Sequence, residues 1–192
     1  GMFAGSAIHY VVAKIMGPIL FGRGFCSWAC WTAMILDYLP FKRNKNGRIA
    51  AKWEVFRYLH FGLSLSLVLI LWFFYDYNPT TMGHTSLVWL VAGNAFYFTS
   101  AIILAFALKD NRAFCKYLCP ITVILKITSR FSFLKIEGDQ DKCTQCNSCV
   151  NVCPMDINIS KYVSSGERVL STECINCLTC TTVCPEGILN DT

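Results

Sequence analysis

Eight cysteines fall into two copies of one spelling, Cys143-x2-Cys146-x2-Cys149-x3-Cys153-Pro154 and Cys174-x2-Cys177-x2-Cys180-x3-Cys184-Pro185. A cubic iron–sulfur cluster needs four thiolates converging on one small volume. A tight x2-x2 loop delivers three of them, and the fourth Cys of such a run ligates the other cluster. One [4Fe-4S] cluster is therefore expected on Cys143, Cys146, Cys149 and Cys184, and a second on Cys174, Cys177, Cys180 and Cys153. Structural zinc needs only four ligands and spaces its pairs differently. Disulfides would require an oxidising compartment. Neither accounts for a long run repeated twice and closed each time by Pro.

The other four cysteines form two Cys-x3-Cys pairs, Cys26/Cys30 and Cys115/Cys119. On a helix, residues i and i+4 share a face, so each pair is expected to present two sulfurs to one side. Two helices offering two thiolates each make an all-sulfur site that suits iron, an iron–sulfur cluster, zinc or Cu(I). A dithiol–disulfide couple and plain packing as small hydrophobes stay open beside it.

The elements that must hold these cysteines are of two kinds. The chain has 192 residues, 54 % of them hydrophobic and 14 % aromatic, which is too apolar for an ordinary soluble domain. Residues 1–135 carry 14 Lys/Arg against 4 Asp/Glu, and residues 136–192 carry 3 against 8. A basic membrane module over 1–135 and an acidic soluble module over 136–192 follow. Phe56 to Tyr75 and Leu87 to Leu108 each have the length of a membrane span, with aromatic ends suited to the interface. Met2 to Phe21 is a further span carrying His9, Lys14 and Pro18. Ala113 to Phe133 reads as one amphipathic helix lying on the surface, with Lys116, Lys126 and Arg130 toward the headgroups.

The Asp37 to Arg57 connection holds six Lys/Arg and the Asp76 to Ser86 connection none, so the basic loop is expected inside. Counting crossings puts the acidic module in the cytoplasm beside the inner membrane, in a multi-pass protein. The first apolar run lacks a basic region before it, so no cleavable signal is expected, and its abrupt start points to a longer N-terminus. Both Cys-x3-Cys pairs then lie at the cytoplasmic membrane edge. His9 and His60 are at depths that do not suit one bis-His haem, and interhelical contacts are the expected role. Lys14 is expected to snorkel rather than meet a quinone or a neighbouring subunit. Residues 157–163 and 168–171 read as a hairpin turning at Ser164-Ser165-Gly166-Glu167.

Gly22-Arg23-x-Phe25-Cys26-x3-Cys30, Cys115-x3-Cys119-Pro120 and the C-terminal paired run together resemble the membrane-bound polyferredoxins. That family includes the membrane ferredoxin subunit of periplasmic nitrate reductase systems, regulators of nitrous oxide reduction and a cytochrome oxidase assembly protein. The resemblance covers nearly the whole chain from Phe21 onward. It implies a mainly α fold, with three to four transmembrane helices followed by a small α+β two-cluster bacterial ferredoxin domain. It also implies an electron-transfer subunit of a membrane oxidoreductase rather than a stand-alone catalyst, relaying electrons between its clusters and the membrane-edge thiolates. The lipid membrane, redox subunits or soluble carriers, and quinone are its implied partners. No flavin, haem or nucleic acid is expected. A metal-handling role, in which the clusters reduce a metal ion or dithiol, is the alternative, and a redox-sensing regulator the third. In one place the chain departs from the family, since Trp31 stands where Pro usually follows the first pair, and a changed turn around Cys30 is expected.

Overall fold

A computed structural model describes residue 8 and residues 11–42, 51–74 and 83–192. The fold is mainly helical. A π-helical turn over Val12–Met16 leads into α1 (Gly17–Phe21), and Gly22 turns the chain at φ 58° before α2 (Gly24–Trp28) and α3 (Trp31–Asp37). A 3-10 turn (Ala51–Glu54) opens α4 (Val55–Phe74), which is followed by α5 (Gly83–Leu108), α6 (Ala113–Tyr117) and α7 (Ile121–Ser129). Beyond these come β1 (Ile136–Gly138), α8 (Ser148–Asn151), α9 (Ile159–Ser164), α10 (Thr179–Thr182) and β2 (Leu189–Asp191).

Among the described residues, two helices are long and apolar enough to cross a membrane, over Lys52–Phe74 and Leu87–Leu108. Their apolar side chains face almost wholly outward, with Leu63, Val68, Trp72 and Phe73 of α4 and Val88, Leu90 and Phe96 of α5 exposed. α4 has 20 residues, about 30 Å at 1.5 Å per residue, which matches a hydrocarbon core. Its polar groups turn inward. His60 Nδ1 meets the Leu118 carbonyl at 2.9 Å and the ring tilts against Tyr97, the interhelical contact expected of it. α5 packs on α3 and α6 through Ala101, Ala105, Leu36 and Phe114. Of the expected Met2 to Phe21 span, only residues 8 and 11–21 lie within the described residues. They are helical and mostly outward-facing. Arg43, Lys45 and Arg48 of the basic loop lie outside them.

Three expectations need correction. Ala113 to Phe133 is not one surface helix: the chain leaves α6 at Leu118 and restarts at Pro120, which cannot continue a helix. Lys116 is fully buried rather than turned to headgroups, and bonds Asp110 and Asp156 at 2.6 Å each. Residues 157–163 are no strand either, because Asn158 caps α9 by accepting from the Lys161 amide. The strand pair is β1 with β2, antiparallel, with Glu137 opposite Asn190. Gly138 is needed there, since a Cβ would stand 2.8 Å from Leu189 Cδ2.

Buried ion pairs tie the last third of the chain to the helices before it. Glu173 contacts Arg23 at 2.6 Å, Lys126 at 2.7 Å and Arg57 at 2.8 Å, and Arg57 also meets Glu54 at 2.5 Å. Arg23 and Arg57 are fully buried. The hydrophobic core follows the same seam: Cys26 and Leu125 pack in one cluster with Cys153, Met155, Ile157, Ile175 and Cys180.

Burial alone would raise the Glu173 pKa, but the Arg23 charge and the Lys126 and Arg57 contacts hold its carboxyl well below the usual carboxylate range. A depressed native pKa means that this stabilisation is complete above the ordinary Glu value and is lost only as pH falls below it, toward the native value. Removing one partner of a buried ion pair costs about 3–5 kcal/mol. Glu173→Gln is therefore expected to lower stability by roughly that amount at pH 7, read as earlier thermal unfolding in detergent, with the difference from wild type shrinking in strong acid.

Candidate iron–sulfur and thiolate sites

The two Cys-x2-Cys-x2-Cys loops share an unusual backbone. In each, the residues flanking the middle cysteine are left-handed: Gln145 (φ 52°) and Asn147 (φ 59°) around Cys146, Asn176 (φ 48°) and Leu178 (φ 60°) around Cys177. A leucine in this region is strained, and such strain concentrates at functional sites. Successive turns of this kind gather backbone N–H groups into a concavity of the type that receives phosphate and iron–sulfur groups. The loop then enters a one-turn helix, α8 or α10, carrying the third cysteine.

The result is two separate cavities. Cys143, Cys146, Cys149 and Cys184 line one, together with Ile188 and Leu189. Cys153, Cys174, Cys177 and Cys180 line the other, with Ile136, Ile157 and Val169. The last cysteine of each run thus borders the cavity of the other run. Ser148 lies 3.4 Å from the Cys146 sulfur, the Thr179 hydroxyl donates to Cys177 at 3.4 Å, and the Ile157 amide donates to Cys153 at 3.5 Å. Burial pushes the Cys174 thiol up to about 11 and Cys180 to about 12. Exposed Cys146 goes the other way, lowered by its Ser148 hydrogen bonds.

The cavity bordered by Cys174 lies against the helical part of the chain. The Ser27 hydroxyl donates to the Ile175 carbonyl at 2.7 Å, the Trp28 indole to Asn176 at 3.0 Å, and Arg23 to Thr172 at 3.3 Å. Residues 23–28 therefore clasp the loop that carries Cys174 and Cys177.

Cys26 and Cys115 lie within the short helices α2 and α6, whereas Cys30 and Cys119 lie just past their ends, which corrects the expectation of one helical face for each pair. The two segments lie near one another, with the Arg112 guanidinium donating to the Cys26 carbonyl at 3.4 Å. Cys115 is within electrostatic reach of Cys119, Cys26 and Cys30, and Cys119 of Cys26 and Cys30. Burial pushes the Cys26 and Cys115 thiols up, and Cys119 to about 11. All twelve cysteines are free. Trp31 takes the first position of α3, where a Pro is also tolerated, so Cys30 still leads directly into a helix.

The roles of several residues here are not legible in the sequence alone. Arg23 and Arg112 precede Cys26 and Cys115 by three positions each, in Arg23-Gly24-Phe25-Cys26 and Arg112-Ala113-Phe114-Cys115, and both are buried. That repeated spelling was the available signal. Lys14 was expected to snorkel, but its Nζ sits 3.2 Å from the Phe25 ring centroid and within reach of Cys26, Cys30 and Cys119. Glu173 and Asp156, neighbours of Cys174 and Cys153, carried no sequence signal that set them apart from solvated acids.

Comparison with known proteins agrees with this chemistry. Residues 135–185 match a family model described as a 4Fe-4S dicluster domain, and residues 4–46 and 92–136 match one described as a 4Fe-4S binding domain. An uncharacterized protein of Methanocaldococcus jannaschii is 28 % identical over 169 residues, covering 85 % of this chain and 65 % of its own length. The methylamine utilization ferredoxin-type protein MauN of Methylobacillus flagellatus is 32 % identical over 146 residues, 69 % of this chain and 48 % of MauN. The ferredoxin-type protein NapH of Haemophilus influenzae is 29 % identical over 163 residues, 78 % of this chain and 52 % of NapH. The chain thus spans about half to two thirds of these relatives. No solved structure matches. With 4Fe-4S family models matched on both sides of Lys135 and ferredoxin-type relatives along most of its length, the chain carries 4Fe-4S ferredoxin domains and is related to ferredoxin-type electron transport proteins, in agreement with its resemblance to the membrane-bound polyferredoxins.

Proposed function

We propose that the chain is a membrane-anchored iron–sulfur electron-transfer component of an oxidoreductase complex, with residues 1–135 as its helical membrane module and 136–192 as a two-cluster ferredoxin module in the cytoplasm. The observation that carries this reading is the division of eight cysteines, four and four, around two apolar-lined cavities in crossed sets. Cys143, Cys146, Cys149 and Cys184 would hold one [4Fe-4S] cluster, and Cys174, Cys177, Cys180 and Cys153 the other. Such a cluster supplies one-electron storage at a potential set by charge, hydrogen bonds to sulfur and solvent exposure.

The chain's own residues do the rest. Left-handed Gln145, Asn147, Asn176 and Leu178 shape the two cysteine loops, and Ile136, Ile157, Val169 and Ile188 line the cavities with apolar surface. Raised thiol pKa values at Cys174 and Cys180 mean that loading releases protons, so uptake is favoured as pH rises. The clasp of residues 23–28 on the Cys174 loop supports a relay between that cavity and the thiols of Cys26, Cys30, Cys115 and Cys119. The six Lys/Arg between Asp37 and Arg57, against none between Asp76 and Ser86, support the cytoplasmic side. Redox subunits or soluble carriers in the same compartment are the partners this arrangement needs.

Anaerobically purified protein is expected to contain at least about 8 iron atoms with matching labile sulfide. Cys146→Ser and Cys177→Ser should each remove a different one of two EPR signals, and protein carrying zinc without sulfide would overturn the reading. Orientation is checked by fusions after Thr192: a fluorescent protein there should fluoresce and a phosphatase stay silent, whereas the reverse pattern would place the module outside.

A further inference from the structure

The two cysteine loops have one backbone and two surroundings. Left-handed Gln145 and Asn147 around the middle cysteine are repeated by Asn176 and Leu178, so a difference between the two cavities comes from what lies against them. Thr144, Gln145 and Cys146 face solvent, and among the described residues no donor reaches the Thr144 or Gln145 carbonyl. The matching carbonyls of Ile175 and Asn176 are covered by α2. The Ser27 hydroxyl donates to Ile175 at 2.7 Å, the shorter of its two contacts, the other being the Gly24 carbonyl at 3.0 Å. The Trp28 indole donates to Asn176 at 3.0 Å. Ile175 is buried, which leaves little water to stand in for Ser27.

The first of these bonds leads on to a sulfur. The peptide unit whose carbonyl takes the Ser27 proton ends in the Asn176 amide, which bonds the Cys174 sulfur. Hydrogen bonds in such a chain polarise one another, so a donor on the carbonyl strengthens the bond from the amide to the sulfur. Resting on the two-cluster reading above, we infer that Ser27 and Trp28 are positioning residues that hold up the potential of the cluster in the cavity of Cys153, Cys174, Cys177 and Cys180, offsetting its burial. Reduction adds negative charge to a cluster; hydrogen bonds toward its sulfurs raise the potential, and removal from water lowers it. Fixed charge supplies no such offset here: three cations meet Glu173 and Glu54, one meets Asp110 and Asp156, and four cations against four carboxylates sum to zero. With the two donors in place, an electron arriving at the exposed Cys146 side passes to the covered cavity beside the helices without a steep uphill step.

The test is an EPR-monitored titration with dithionite, each cluster taking up one electron, on the full chain purified anaerobically in detergent. Iron, sulfide and thermal unfolding are measured on every sample. Ser27→Ala and Trp28→Phe should each move the signal that Cys177→Ser removes to more negative potential, and leave in place the signal that Cys146→Ser removes. Ser27→Thr, which keeps the hydroxyl, should keep the wild-type potential. Unchanged potentials in both Ser27→Ala and Trp28→Phe, at full iron and sulfide, overturn this proposal while leaving the two-cluster reading standing. So does a shift of both signals together, or a loss of thermal stability with both potentials unmoved, which would make the contact a purely structural one. Ser27→Ala removes a single oxygen, so it carries the test even where Trp28→Phe loses a cluster. Absence of any iron–sulfur signal in wild type overturns the two-cluster reading and this proposal with it.

Discussion

One buried carboxylate holds two chemistries in register. Glu173 precedes Cys174 in sequence and receives Arg23, Arg57 and Lys126, which come from the turn before α2, from α4 and from α7. Stripping water from one anion and three cations is expensive, and only close, short contacts in a low-dielectric setting repay it. The position of the second cysteine run is thereby fixed against three separate helical segments. Lys116, shared between Asp110 and Asp156, repeats the device beside Cys153. Both clamps lie next to cysteines of the same cavity, the one lined by Cys153 and Cys174.

The thiols of Cys26 and Cys115 depend on that attachment. Arg23 serves the Glu173 clamp through Nη1, and its charge also acts on Cys26 and Cys115. Loosening the clamp would therefore disturb the thiols as well as the seam. The repeated Arg-x-Phe-Cys spelling gives two short helices of the same build, each led by a buried arginine and each followed by a second cysteine just past its end. The Cys174 loop rests directly on the first of them. The cavity bordered by Cys143, Cys146, Cys149 and Cys184 has an exposed cysteine, Cys146, on its lining.

Much of this was legible in order along the chain. The cysteine runs, the two apolar spans and the charge contrast across Lys135 are local patterns, and local patterns survive folding. The misses also have physical causes. Residues 113–133 carry helical periodicity throughout, but Pro120 breaks it, and a buried Asp pair claims the lysine that looked amphipathic. Residues 157–163 alternate apolar and polar like a strand, yet an Asn cap and a single apolar stripe through Ile159 and Val163 make them a helix turn.

By itself the sequence determined which atoms can ligate iron and which segments can meet lipid, because ligand spacing and span length are properties of contiguous residues. Only the tertiary structure decided where the charges go. Arg23 and Glu173 are 150 residues apart, and nothing in the sequence around Glu173 distinguishes it from a solvated surface acid. Whether a charge is solvated, clamped or turned toward a thiol depends on partners brought in from elsewhere in the chain, and that is settled by packing.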